Sequence, residues 1–182
     1  MKEIRIHARA GQGAITTAQL LGMAVFAQGR FAYAFPHFGA ARMGAPMNSF
    51  VRIDDKEIHI RSQVNEPDYV LVMDATLMRG FDVFTGLKPG GAVVINEHED
   101  AKNPEPPEGK KVYSVPANEI AQEVMGRLLG NTALLGAFAA ATGEIDLEAL
   151  SEAISKRFAG RVAEGNIKAA KRGFDYIKEN HA

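Results

Sequence analysis

Two short apolar runs, Tyr69–Met73 and Ala92–Ile95, each stop abruptly at a polar residue, Asp74 and Asn96 respectively. Neither run alternates. A strand that is apolar on both sides needs cover on both faces, which is the situation of a central strand in an α/β sheet. Glu3–Ala8, by contrast, alternates Ile4 and Ile6 with polar residues and reads as a first strand. It runs directly into a glycine loop, Gly11-Gln12-Gly13, and then a helix over Ala14–Gln28 that Gly29 closes. This helix is apolar nearly all round, at Ile15, Ala18, Leu21, Val25 and Phe26, so it is expected to be mostly buried. Together these signals predict an α/β fold: a mixed, mainly parallel sheet with helices on both faces, a β-hairpin insertion and a helical C-terminal part.

The hairpin is expected at Met47–Ile60. Ser49, Val51 and Ile53 share a face with Met47, Asp54-Asp55 makes the turn, and Ile58 and Ile60 return. Before it, Phe31–Pro46 has no clean period and reads as an irregular loop, of a length that is usually functional. Thr76–Phe84 suggests a short helix and Val112–Val115 a further strand. Glu97–Lys111, with Pro104, Pro106 and Pro107, reads as an exposed loop. From Pro116 the chain is helical. Pro116 opens a helix with Ile120, Val124 and Leu128 on one face. Asn131 caps Thr132–Thr142, which Gly143 stops, and Asp146 caps a third helix. A last helix covers about Arg161–Lys178. The expectation is one domain, 1–182, with the sheet in 1–115 and a helical part in 116–182.

The chain has no cysteine among its 182 residues, which excludes disulfides, thiolate nucleophiles and cysteine-held iron–sulfur or zinc sites. Its histidines show no metal-ligand spacing and its serines no nucleophile elbow, so no catalytic constellation and no metal site are expected within it. A net charge of -1 gives no electrostatic reason to expect nucleic acid or an anionic membrane surface. Met1–Arg9 lacks the apolar core of a signal peptide, and nothing approaches the roughly 18 apolar residues of a membrane span. A cytoplasmic protein is expected.

Three features could carry chemistry. Arg9-Ala10-Gly11-Gln12-Gly13-Ala14 lies between a strand and a helix, where close backbone approach and free helix N–H groups suit a phosphate; it also serves as a tight turn packed on glycine. Pro36–Pro46 carries Arg42 among small residues, able to pair with a phosphate or with a carboxylate from another chain, or simply to lie on the surface of a self-packed loop. Asp74 and Asn96 end buried strands at the edge where open α/β sheets bind ligands, but helix capping by Asp74 and turn formation by Asn96 is the favoured reading of both.

Taken in order, Arg9–Ala14, Phe35-Pro36-His37-Phe38-Gly39, Arg42-Met43-Gly44-Ala45-Pro46, Ile60-Arg61-Ser62-Gln63, Asn131–Ala137 and Asn166-Ile167 resemble the gamma subunit of 2-oxoacid:ferredoxin oxidoreductases, over nearly the whole chain. The Arg-x-Gly-Ala-Pro form resembles the pyruvate or branched-chain (2-oxoisovalerate) members. The resemblance implies a complex that converts pyruvate and coenzyme A to acetyl-CoA and carbon dioxide, reversibly, with electrons passing to ferredoxin. It places thiamine diphosphate, magnesium and iron–sulfur clusters on partner alpha, beta and delta subunits. It implies that this chain, not catalytic alone, helps bind coenzyme A at a subunit interface through Gly11, Gln12, Gly13, Arg42 and Gly44, and holds the complex together. Two positions depart from the pattern: many relatives have glycine at Ala10 and arginine or glycine at Met43. Two other readings stand beside this one, a purely structural subunit and a free-standing nucleotide- or flavin-binding module.

Overall fold

The computed structural model describes residues 1–37, 42–98 and 107–181. In chain order it contains β1 (Lys2–Arg9), α1 (Ala14–Ala27), β2 (Phe31–His37), β3 (Pro46–Asp54), β4 (Tyr69–Val72) and a 3-10 helix (Ala75–Arg79). β5 (Ala92–Asn96), β6 (Lys111–Val115), α2 (Ala117–Met125), α3 (Asn131–Thr142), α4 (Leu147–Arg157) and α5 (Gly160–Asn180) follow. The strands form one mixed sheet in the order β2-β3-β1-β4-β5-β6. β1 is antiparallel to β3 and parallel to β4, and β4, β5 and β6 continue in parallel. The predicted α/β class and the mixed, mainly parallel sheet are what the structure has.

The two apolar runs are central, as their lack of alternation requires. Leu71 and Val94 enter a large core beneath the helices, while Val70, Val72, Val93 and Ile95 enter a smaller core on the opposite face. Each such fully buried aliphatic side chain contributes about 1.5–3 kcal/mol. All five α-helices contribute to the large core. The opposite face is covered by the segment after β4, through Ala75, Val83 and Leu87, so the helical element there is the 3-10 helix.

Several local expectations are corrected. Phe31–His37 is strand β2 and not loop; of the rest of that expected loop, 42–45 form a turn, Pro46 begins β3, and Phe38–Ala41 lie outside the described residues. The alternation that marks β2 is of size: Phe31, Tyr33 and Phe35 occupy one side, and Ala32 and Ala34 pack on the large core. The small pair lets Gly22 of α1 approach closely. β3 therefore forms its hairpin with β2, the strand before it, and Ile58 and Ile60 belong to no strand. The reason is Arg52 of β3, whose guanidinium takes the carbonyls of Ile60, Ser62 and Gln63 and draws that segment across the sheet face.

Thr76–Phe84 yields only the 3-10 helix that Asp74 caps. α2 ends at Met125 with Gly126 in the left-handed region, which leaves Leu128 outside it and 69% exposed. The N-cap of α3 is Gly130, not Asn131. Pro104 and Pro106 lie outside the described residues. Gly143 and Asp146 do terminate α3 and cap α4 as expected. α3 and α5 pack so closely that a Cβ on Gly136 would overlap the Ala170 carbonyl, and one on Gly173 the Ala133 carbonyl.

Candidate functional site

β1, β4, β5 and β6 all point their carboxyl ends to one edge, and β1 sits where the sheet changes from antiparallel to parallel neighbours. Such a switch point opens a crevice at the carboxyl edge. Here it is occupied by the loop from Arg9 to Gly13. Gly11 and Gly13 have φ of 98° and 82°, a region that side chains with a Cβ adopt at a cost, so glycine is required twice. A Cβ on Gly11 would strike Met43, and one on Gly13 would strike Asn131.

The loop is locked from below. Gln12 accepts from the Arg9 N–H at 2.7 Å and donates to Asp74 at 2.8 Å. Arg9 donates to Asp74 at 3.1 Å, to the Thr76 hydroxyl at 3.0 Å and to the Gly44 carbonyl at 3.3 Å. Burial alone would raise the Asp74 carboxyl, but the bonds from Thr76 and Gln12 and the charge of Arg9 hold it below the usual carboxylate range. Asp74 is thus an ionised anchor for the loop as well as the predicted cap. Asn96 is tied in too, donating to the Met73 carbonyl and accepting from the Asn118 N–H. Asn118 accepts from Gly130, and Asn131 donates to the carbonyls of Gln12 and Gly13. A chain of carboxamides therefore fixes the starts of α2 and α3 against the glycine loop.

The structure brings two sequence-predicted motifs into backbone contact. Gly44 donates to the Ala10 carbonyl at 3.0 Å and Ala10 to the Ala45 carbonyl at 2.8 Å, while the Arg42 carbonyl closes that turn. The side chains diverge. Those of Arg9 and Gln12 are engaged in the lock, whereas Arg42 lines a cavity that His7 and Asn48 also line.

On the helical side, Gly13 opens onto a cleft of about 460 Å3 that sequence reasoning did not foresee. Thr16, Asn131 and Thr132 line it together with Arg127 and Arg161. α1 and α3 both begin on this cleft, and neither has a side-chain cap or an acidic residue in its first turn. Both arginines are exposed, and neither forms an ion pair among the described residues. Uncapped helix starts and guanidinium groups without an ion pair are the kinds of group that favour an anion. Asn166, also at the cleft, is a packing hydrogen bonder: it accepts from Thr132 at 3.0 Å and donates to the Val162 carbonyl at 2.8 Å. The signal available in the sequence was the pair of arginines just before one helix and at the start of another. Their convergence depends on how α5 lies across α3.

A second cavity, of about 400 Å3, lies on the other side of the loop. His7 and Asn48 form its polar floor. Burial and the neighbouring Arg5 guanidinium, whose Nε donates to the His7 ring at 3.1 Å, push the imidazole down to about 4, against a hydrogen bond to Asn48 that raises it. The folded chain thus leaves His7 neutral where the unfolded chain protonates it. Stability from this group is full above about pH 6.5 and is lost as pH falls toward 4. Urea midpoints measured across that window are expected to fall with acidity in the wild type and to fall less steeply in His7→Gln.

Among the described residues, no group of three or more potential metal ligands converges, and no helix is long and apolar enough to cross a membrane. Large apolar side chains stand exposed around the carboxyl edge: Met43 at 84%, Leu128 at 69%, Val162 at 46% and Leu129 at 45%. A free-standing protein rarely leaves such a ring uncovered.

The fold and this edge define an α/β switch-point protein whose carboxyl edge carries two exposed arginines and exposed apolar side chains. The chain belongs to the pyruvate ferredoxin/flavodoxin oxidoreductase family, whose pattern it matches over residues 3–176, and within it to the gamma-type subunits. It is 48% identical, over 181 residues covering 100% of this chain and 99% of the relative, to pyruvate synthase subunit PorC of Methanocaldococcus jannaschii. It is 46% identical, over 178 residues and 96% of each chain, to the common gamma subunit of pyruvate/ketoisovalerate oxidoreductases of Thermococcus kodakarensis. The crystal structure of pyruvate oxidoreductase subunit PORC from Thermotoga maritima matches with a TM-score of 0.82 and 36% identity, covering 96% of this chain and 95% of that one.

Proposed function

We propose that this chain is the gamma subunit of a complex that oxidatively decarboxylates pyruvate with coenzyme A, giving acetyl-CoA and carbon dioxide and reducing ferredoxin, and that it holds the phosphate-bearing end of coenzyme A at a subunit interface. One observation carries the coenzyme A assignment: two uncapped helix starts and two unpaired arginines face a single cleft. In this reading the first-turn N–H groups after Gly13 and the guanidinium groups of Arg127 and Arg161 take the phosphates. Gly11, Gln12 and Gly44 shape and lock the loop that presents them, and Arg42 contributes its carbonyl to the turn. The exposed apolar ring is where sister subunits close the site. Thiamine diphosphate, magnesium and the iron–sulfur clusters belong to those alpha, beta and delta partners, since this chain has no cysteine to hold a cluster.

In a holoenzyme reconstituted from all its subunits, Arg127→Ala and Arg161→Ala are each expected to raise KM for coenzyme A about tenfold, which corresponds to about 1.4 kcal/mol of lost charge-assisted binding. KM for pyruvate should not move. An unchanged KM for coenzyme A in the intact double variant would overturn the assignment. The Thermococcus kodakarensis relative is described as common to pyruvate and ketoisovalerate enzymes. A gamma chain that contacts only coenzyme A fits such sharing, because the acid it helps convert would be chosen elsewhere.

A further inference from the structure

The cavity on the face away from the helices has no part in the coenzyme A reading. Its walls are apolar, built by Ala45 beside β3 and by Leu77 and Phe81 of the segment after β4. Its floor offers little to a polar guest, because His7 is already bonded to Arg5 and to Asn48 and is neutral. None of the described residues that line it is acidic. At its mouth stand His37 and Arg42. Arg42 is exposed and forms no ion pair among the described residues. Phe81 is 52% exposed at the same rim. An apolar hole with an unpaired guanidinium at its lip is complementary to an apolar side chain next to a carboxylate. The turn that carries Arg42 also carries Met43, a member of the exposed apolar ring, so the mouth is continuous with the edge where sister subunits are proposed to close.

We propose that this cavity seats an anchor from a sister subunit, an apolar side chain flanked by a carboxylate, with Arg42 pairing to the carboxylate. This rests on the chain working inside the multi-subunit enzyme and not on where coenzyme A binds. A polyphosphate is a poor guest here because the mouth offers one guanidinium and one imidazole, whereas the helical-side cleft offers two guanidinium groups and two helix starts.

The test uses co-expressed holoenzyme captured through a tag on a sister subunit and washed at rising salt. Arg42→Glu and Phe81→Asp are expected to lower the retained gamma chain about tenfold at intermediate salt, with Arg42→Lys close to wild type. Lys171→Glu, on the outer side of α5, serves as the charge-reversal control and is expected to stay bound. Circular dichroism of each purified variant verifies folding, which these exposed positions leave intact. Unaltered retention of Arg42→Glu and Phe81→Asp overturns the proposal, as does equal loss of the Lys171→Glu control. Normal retention with a raised KM for coenzyme A would give the cavity to that substrate. Normal retention with a raised KM for pyruvate would give it to a free acid. Either result overturns the anchor.

Discussion

Arg52→Met is expected to destabilise the chain by about 3–5 kcal/mol, the cost of removing one partner from a buried ion pair. Arg52 is 1% exposed near the end of β3. Its Nε donates to Glu3 at 2.8 Å, Nη1 to the Ser62 carbonyl at 2.7 Å and to the Ile60 carbonyl at 3.3 Å, and Nη2 to the Gln63 carbonyl at 3.4 Å. Its guanidinium also lies over the Phe35 ring. Methionine fills the volume but leaves the Glu3 carboxylate, among the described residues, with Lys88 at 3.7 Å as its remaining ion pair, and releases the carbonyls of the segment that crosses the sheet. Glu3→Gln in the same background should recover part of the loss, because it removes the charge that Arg52 compensated. Urea unfolding monitored by circular dichroism measures both. A loss below about 1 kcal/mol for Arg52→Met would mean that the 58–63 segment is held by something else.

Gly173→Val is expected to act at or beyond the top of the roughly 1–3 kcal/mol range for overpacking. A Cβ at this position falls inside the Ala133 carbonyl, which is backbone and cannot swing aside, and Gly136 meets the Ala170 carbonyl in the reciprocal way. The whole of α5 must therefore move away from α3. For a domain of this size about 3 kcal/mol lowers the melting temperature by roughly 6–12 °C. Gly80→Ala provides the comparison: nothing lies within 4 Å of that site, and a change within about 0.5 kcal/mol is expected. Because α5 carries Arg161 to the helical-side cleft, Gly173→Val should also raise KM for coenzyme A in whatever holoenzyme survives, and Gly80→Ala should not. A melting curve for Gly173→Val that overlays the wild type would disprove the close packing.

Much of this was legible in the residues. The unbroken apolar runs required central strands because side chains on both faces had to leave water. The Gly11–Gly13 loop was legible because a strand that turns at once into a helix needs glycine dihedrals. Gly143 and Asp146 marked helix ends by the same local logic. β2 was missed because its alternation is between large and small apolar residues, a pattern that a polar–apolar reading does not register. Leu128 was misplaced because the helical period continues past Gly126, and the glycine ended the helix before the period did. Asn131 suggests a cap by its position alone; its carboxamide instead crosses to the carbonyls of Gln12 and Gly13, more than a hundred residues away in the chain.

What the sequence by itself determined is whatever local chemistry dictates over a few residues: the α/β class, the order of most elements, the glycine-built turn and the absence of any thiolate. What only the tertiary structure decided is which distant groups share a space. The strand partner of β3, the meeting of α1 and α3 over one cleft with Arg127 and Arg161, and the separation of Arg42 onto the other face all follow from packing between elements. Period and propensity report how a segment relates to water. They carry no information on which other segment will shield it, and that choice falls to the shape and volume of surfaces that exist only once the chain has folded.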